Sequence, residues 1–317
     1  MTFIVRPLRF RFLAKDPIFF PAHKPGNVLR GAFGLVFREL ACRCLSGHEG
    51  NCPYARIFEP KSMGLAPSGF TDLPRPFVIR AHHLDGRRVA PGERFHFDAN
   101  LFTQDAWPLP YFEGTFAKLA TQGMGPGRGR ALFEGMTASR LEFSLNPPPA
   151  FVDRVTVDFV TPTELKAADR LIAEPFFEPL IARLRDRISN LGEQYGDGPL
   201  TVDFLALAAR ASGVRLAESD IRHVEAERRS SRTGQTHPLS GFVGRATYTG
   251  DLAEFIPYLQ IGEYTGVGRQ TVWGKGELKL VSHSRAEVPA YPPSRDRKEA
   301  GPEPSSSKDE FSSRRRF

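Results

Sequence analysis

Three consecutive prolines, Pro147-Pro148-Pro149, follow Asn146 near the middle of this 317-residue chain. Proline fixes φ and carries no N–H, so neither a helix nor a central strand continues through such a run. The chain must solve its folding problem once on each side of the break. Its length allows two cores of ordinary size.

The two sides read alike. Before the prolines, Val5, Leu8, Phe10 and Phe12 alternate with Arg6, Arg9 and Arg11, which predicts a strand over Phe3 to Leu13 with one basic face. Apolar residues then recur at helical spacing from Pro25 to Cys42, with proline tolerated in the first turn. Strands are predicted at Phe77 to Ala81, Arg94 to Phe102 and Ala131 to Leu145, and a helix at Trp107 to Ala120. After the prolines come a strand at Val155 to Thr161 and helices at Phe177 to Leu191 and Val202 to Ala211. A strand at Gly241 to Thr249, a short helix opened by Asp251 with Glu254 three residues on, and a strand at Thr271 to Val281 complete the order.

Strand–helix–strand order thus occurs twice, which predicts an α+β protein of tandem ferredoxin-like (RRM-like) domains with glycine-rich loops. The expected boundaries are 1–146, containing a Cys-rich insertion, and 150–283. From Ser284 to Phe317 there are seven serines, five prolines and fourteen charged residues, too little apolar surface to offset ordering entropy, so this stretch is expected to be a disordered tail.

Charge narrows the partner. Lys plus Arg number 43 against 36 Asp plus Glu, a formal +7. The tail holds eight basic and six acidic residues, a net +2, so +5 remains with the rest. A polyanion partner is compatible with that excess. The longest stretch free of Asp, Glu, Lys and Arg runs only from Thr233 to Gly244, too short to span a bilayer. Charged residues interrupt the first twenty positions, so no signal peptide is expected and the cytoplasm is the expected location. An odd number of clustered cysteines argues against a disulfide framework.

Residues 241–276 hold eight glycines in thirty-six positions. Glycine permits positive φ, and free N–H groups near Arg269 and Lys275 can meet phosphate oxygens; a tight turn with no ligand is the alternative. A Walker loop is excluded because Gly276, not Ser or Thr, follows Gly274-Lys275. A second glycine-basic stretch, Gly123 to Arg130, precedes the last strand of the first half, and its Arg128 and Arg130 are candidate phosphate contacts.

The segments Gly241-Phe242-Val243-Gly244, Tyr248-Thr249-Gly250-Asp251-Leu252 and Gly262 to Gly276 resemble the C-terminal domain of CRISPR precursor-RNA-processing endoribonucleases of the RAMP superfamily. Gly26 to Gly34, and Cys52-Pro53-Tyr54-Ala55-Arg56-Ile57-Phe58-Glu59-Pro60, are similar to the first domain of that family. The resemblance implies a glycine-rich loop, including Gly266 and Gly268, touching CRISPR repeat RNA. It also implies metal-independent cleavage leaving a 2′,3′-cyclic phosphate and a 5′-OH, with precursor and mature crRNA as partners. A noncatalytic RAMP subunit holding crRNA in an effector complex with other subunits is the alternative.

Such chemistry needs a base, an acid and positive charge, roles suited to His, Lys and Arg. His23, between the first strand and first helix, is the first catalytic candidate, by the family's habit of placing a histidine near that helix, with Lys24 beside it as a further catalytic candidate and the nearby Arg30 as an RNA contact. His237 is the second, after the basic run Arg228, Arg229 and Arg232. His82 and His83, at a strand end, are read as structural.

Cys42, Cys44, His48 and Cys52 form C-x-C-x3-H-x3-C, three thiols and one imidazole suited to structural zinc or, otherwise, free thiols. Four protein ligands leave no open position for catalysis, for which no cofactor is expected.

Overall fold

Alternation along the first strand changes phase at Arg6-Pro7, and this shift organises the fold. Phe3 and Val5 are buried before it, Leu8, Phe10 and Phe12 after it. One strand, β1 (Thr2–Ala14), therefore buries its two ends in different cores. The computed structural model describes residues 2–45, 47–48, 51–60, 73–149, 151–167, 170–229 and 236–284. The expected tail lies outside these residues apart from Ser284.

In the first lobe β1 is followed by α1 (Pro25–Ala41), α2 (Pro53–Phe58), β2 (Phe77–Arg80), β3 (Arg94–Leu101), α3 (Leu109–Gln122), β4 (Ala131–Ala138) and β5 (Leu141–Ser144). The antiparallel sheet has the order β2-β3-β1-β4, with β5 pairing the start of β1. In the second lobe β6 (Arg154–Thr163) leads to α4 (Phe177–Tyr195), α5 (Phe204–Ser212), β7 (Arg215–Val224), β8 (Gly241–Thr249), α6 (Ile256–Thr265) and β9 (Leu278–Ser284). Its sheet order is β7-β8-β6-β9. With the extra pieces set aside, each lobe is β-α-β-β-α-β with its first and third strands at the centre, the ferredoxin-like arrangement. Both lobes lie in one packed unit, Met1–Ala286.

Phenylalanine builds the first core. Phe10, Phe12 and Phe97 from the sheet meet Phe33 of α1 and Phe112 and Phe116 of α3, all fully buried. Each such burial is worth about 1.5–3 kcal/mol before entropy is counted. The second core takes Leu180, Ile181, Leu184 and Ile188 of α4 with Val155, Val157 and Phe159 of β6. It also takes Phe3, Val5, Val78 and Phe102 from the first lobe. A division at 146/150 remains our proposal for how the chain is parsed, and hydrophobic packing crosses it.

Several expectations change. Arg6 leaves the basic face for the carbonyls of Thr103 (3.2 Å) and Gln104, because the phase shift turns it over. The strand expected over Ala131 to Leu145 breaks at Ser139-Arg140 into β4 and β5. The last strand starts only at Leu278, since Thr271–Trp273 form a 3-10 turn. Asp251 does not open α6; a 3-10 turn, Ala253–Phe255, precedes it with no side-chain cap. β7 was not expected at all, and its residues are mostly exposed.

Candidate active site between the lobes

The start of α1 meets the glycine-rich turn of the second lobe at very short range. A Cβ on Gly26 would lie 2.9 Å from the Trp273 carbonyl oxygen and 3.0 Å from the Gly274 Cα, so only glycine allows this approach. The lobes here enclose a pocket of about 150 Å³ lined by His23, His82, Asp85, Thr161, Arg222 and Lys275, among others. His23 sits in a turn at φ 59°, its N–H donating to Asp85 Oδ1 and its ring Nδ1 3.3 Å from Asp85 Oδ2. That contact sets the ring orientation and leaves Nε2 as the second functional nitrogen. Lys24 stands at the N-cap position of α1 without a side-chain capping bond and is half-buried, and the first turn of this helix carries no acidic residue, which favours an anion there.

Lys275 faces the same pocket from the other lobe. It is 2% exposed, and its Nζ donates to the Ser240 carbonyl at 2.7 Å, leaving two further donors. Burial brings its pKa down to about 8, Glu164 working against that shift and Arg269 with it. An ammonium near neutrality of this kind can carry charge or give up a proton.

Behind the pocket opens a wider cleft of about 610 Å³. Arg9, Arg11 and His96 of the first sheet line it, together with His83 from the turn after β2 and with Lys279 and Glu263 of the second lobe. Arg9 is held by both oxygens of Asp98 (2.8 and 2.9 Å). Burial, then His83, lowers the pKa of His96 and so favours its neutral form. His82 joins the two cavities, its Nδ1 donating to Glu277 Oε2 at 3.1 Å. Burial opposes ionisation of Glu277, yet Arg80 and the His82 hydrogen bond bring its pKa below the usual carboxylate value.

Three donors outside α6 satisfy the carbonyls that its C-terminus leaves open. Arg80 Nη2 donates to Tyr264 O (2.9 Å), Asn100 Nδ2 to the same oxygen (2.9 Å), and Arg187 Nε to Thr265 O (2.9 Å). Burial and the neighbouring charge of Arg80 lower the Arg187 pKa to about 9. Side chains of both lobes thereby fix where the glycine-rich turn begins.

The structure thus brings His23 and Lys275 together and disperses most other candidates. The turn after α6 carries glycine at positive φ at Gly266, Gly268, Gly274 and Gly276. Its amides are largely committed: Val267 N–H donates to Gly276 O, Arg269 N–H to Glu164 O and Gly276 N–H to Pro162 O. The expected open cradle of free N–H groups is absent at these positions, because the turn folds on itself and on β6. Arg269 is half-exposed and paired with Glu164 at 2.6 Å. Arg30 stacks on the Phe58 ring, 4.1 Å from its centroid. Arg128 is exposed on an ordered turn closed by Met124 and Gly129, and Arg130 pairs with Asp16 at 2.7 Å. The backbone of Arg228, Arg229 and His237 lies in a short hairpin, 227–229 with 236–238; their side chains, and Arg232 altogether, lie outside the described residues.

Local reading missed His82 as a pocket residue, and also Asp85, Arg80 and Glu277. His82 and Glu277 are 195 positions apart, so no spacing in the sequence links them. The one local signal was two histidines and an aspartate directly after a strand.

At the other end of α1, Cys42, Cys44, His48 and Cys52 place their ligand atoms within 4.8 Å of one another. This cluster is compatible with structural zinc. Among the described residues no helix is long and apolar enough to cross a membrane.

Comparison with known proteins gives two family matches. Residues 3–144 match the family AF_1859_N, described as an N-terminal domain, and residues 157–278 match the CRISPR-associated endoribonuclease Cas6. No curated protein sequence matches the chain. Among solved structures, the product complex of Cas6 (TTHB231) superposes with a TM-score of 0.57 at 16% identity, covering 88% of this chain and 99% of that one; an otherwise separate structure names it as Thermus thermophilus Cas6. The Cas6 (TTHA0078) product complex gives 0.54 at 16%, covering 88% and 100%. A partial Cas6-RT-Cas1–Cas2 complex gives 0.54 at 11%, covering 89% of this chain and 46% of that one. Residues 157–278 thus match the CRISPR-associated endoribonuclease Cas6 family, and the chain shares the fold of the solved Cas6 proteins over 88% of its length.

Proposed function

We propose that this chain cuts CRISPR repeat RNA in the pocket between α1 and the glycine-rich turn, without a catalytic metal. One observation carries the reading: His23 and the buried Lys275, from different lobes, line one pocket at a helix N-terminus. His23, oriented by Asp85, takes the proton of the ribose 2′-OH through Nε2. The 2′-oxygen attacks phosphorus and the P–O5′ bond breaks. Lys275 gives a proton to the leaving 5′-oxygen, so the products are a 2′,3′-cyclic phosphate and a 5′-OH. Lys24 and the α1 N-terminus stabilise charge on the phosphate, as helix amides and ammonium groups do. The RNA strand approaches along the basic cleft past Arg9, Arg11 and Lys279. The similarity to Cas6 product complexes supports precursor and mature crRNA as the bound species. The cysteine–histidine cluster, at the far end of α1, takes no part in this reaction.

The test is multiple-turnover cleavage of repeat RNA in EDTA. Wild type should cut once per repeat, and His23→Ala should lose about 10²–10⁴-fold in kcat. Intact RNA after incubation with wild type would sink the enzyme reading. Retained RNA binding without cleavage would favour a noncatalytic crRNA-holding subunit.

A further inference from the structure

We propose that Cys42, Cys44, His48 and Cys52 hold a structural zinc ion, with Glu59 orienting the histidine ligand. A tetrahedral zinc with Zn–S near 2.3 Å and Zn–N near 2.05 Å separates its ligands by about 3.6 Å for S to N and about 3.8 Å for S to S. His48 Nδ1 lies 3.5 Å from Cys42 Sγ and 3.7 Å from Cys52 Sγ, close to those tetrahedral edges. A ring nitrogen has one lone pair or one proton, so hydrogen bonding alone does not explain two sulfurs converging on it. All three cysteines are free thiols, Cys52 buried and the others half-buried, so the donor set is present and sheltered.

The surroundings are those of a ligating histidine. His48 Nε2, on the other side of the ring, faces Glu59 Oε2 at 3.6 Å, and Tyr54 Oη donates to Glu59 Oε1 at 3.1 Å. A carboxylate behind the imidazole fixes its tautomer and raises its basicity, the usual support of a metal-bound histidine. Three thiolates and Zn²⁺ leave a net charge of −1, and Arg38 sits one helical turn before Cys42, whose N–H donates to the Arg38 carbonyl at 3.0 Å.

The ion would close the loop between two helices. It joins the end of α1 to the start of α2, a helix of only six residues that is too short to be stable alone. Once anchored, α2 seats Phe58 between Gly34, whose missing Cβ leaves room for the ring, and the Arg30 guanidinium. Four protein ligands leave no open position, and α1 spans about 25 Å between this cluster and His23. The role is therefore structural, and it stands whether or not the chain cleaves RNA.

Full-length protein purified under reducing conditions without chelator, then subjected to elemental analysis, tests the assignment. About one zinc per chain is expected, released when a mercurial titrates the thiols, and cobalt reconstitution should give the intense visible bands of a tetrahedral thiolate site. Cys52→Ser and His48→Ala should lose the ion. His48→Cys should keep it, since a set of four thiolates suits zinc equally, which separates loss of a ligand from loss of the fold. Glu59→Gln should bind about 10–100-fold more weakly. Folded wild type carrying no zinc, carrying another metal alone, or keeping its zinc in both Cys52→Ser and His48→Ala would overturn the proposal.

Discussion

The two glycine-basic turns occupy the same place in their lobes, between the second main helix and the last sheet strand, yet they do opposite things. The turn at 123–130 packs on Pro17 to Phe19 of its own lobe and leaves Arg128 in solvent. The turn at 266–276 reaches across to α1, buries Lys275 and delivers it to the pocket of His23. A repeated topology therefore supplies two equivalent frames, but chemistry arises only at the one that meets the other lobe. Burial is what lowers the Lys275 pKa; an exposed lysine on the first turn would keep an ordinary one.

The sharpest way to break this asymmetry is at the charge itself. Lys275→Met should reduce kcat/KM by about 10²–10³-fold in single-turnover assays. Because the ammonium is the active form, the wild-type rate should fall as pH rises through about 8, and Lys275→Arg should move that fall to higher pH. A pH profile unchanged in Lys275→Arg would separate the lysine from the reaction.

A second comparison concerns the glycines. At Gly276, φ is 66° and an added Cβ would stand 1.9 Å from the Val267 carbonyl oxygen, so Gly276→Ala should cost about 2–4 kcal/mol and lower Tm by several degrees. Gly127, in the matching turn, has nothing within 4 Å of such an atom. Gly127→Ala should melt within a degree or two of wild type.

Acid should loosen the lobe contact selectively. The folded-state pKa of Glu277 is lowered, so its contribution is present above the ordinary carboxylate value of 4.5 and is lost as pH falls through the folded value. Wild type should therefore exceed Glu277→Gln in Tm at neutral pH, with the gap closing in acid below pH 4.5. A gap independent of pH would assign the effect to packing. The smallest effect belongs to the first turn: Arg128→Ala and Arg130→Ala should each weaken RNA binding uniformly across sequences and reduce the salt slope by about 1, with kcat unchanged.

Much of the frame was legible because periodicity reports burial directly. The helices at 25–41 and 177–195 and the strands at 94–101, 154–163 and 241–249 carry apolar residues at their proper spacing. The strand at Arg215–Val224 escaped notice because an edge strand with exposed, charged side chains has no apolar face to announce it. Likewise Thr271–Trp273 look strand-like, but positive φ at Gln270 and Gly274 curls them into a turn. Of the site, His23 and the Cys/His set were visible, the one by its place at a helix start and the other because its ligands fall within eleven residues.

By itself, then, the sequence determined two α+β halves, a proline break between them, a compact metal-ligand motif and the residue types for RNA chemistry, since each of these is written in local spacing. Only the tertiary structure decided that the halves share packing through β1 and β2, that His82 belongs with Glu277, and that Lys275 rather than Arg269 or Arg128 enters the pocket. Those pairings cross from one lobe to the other, and burial at that contact is what selects among residues that look alike along the chain.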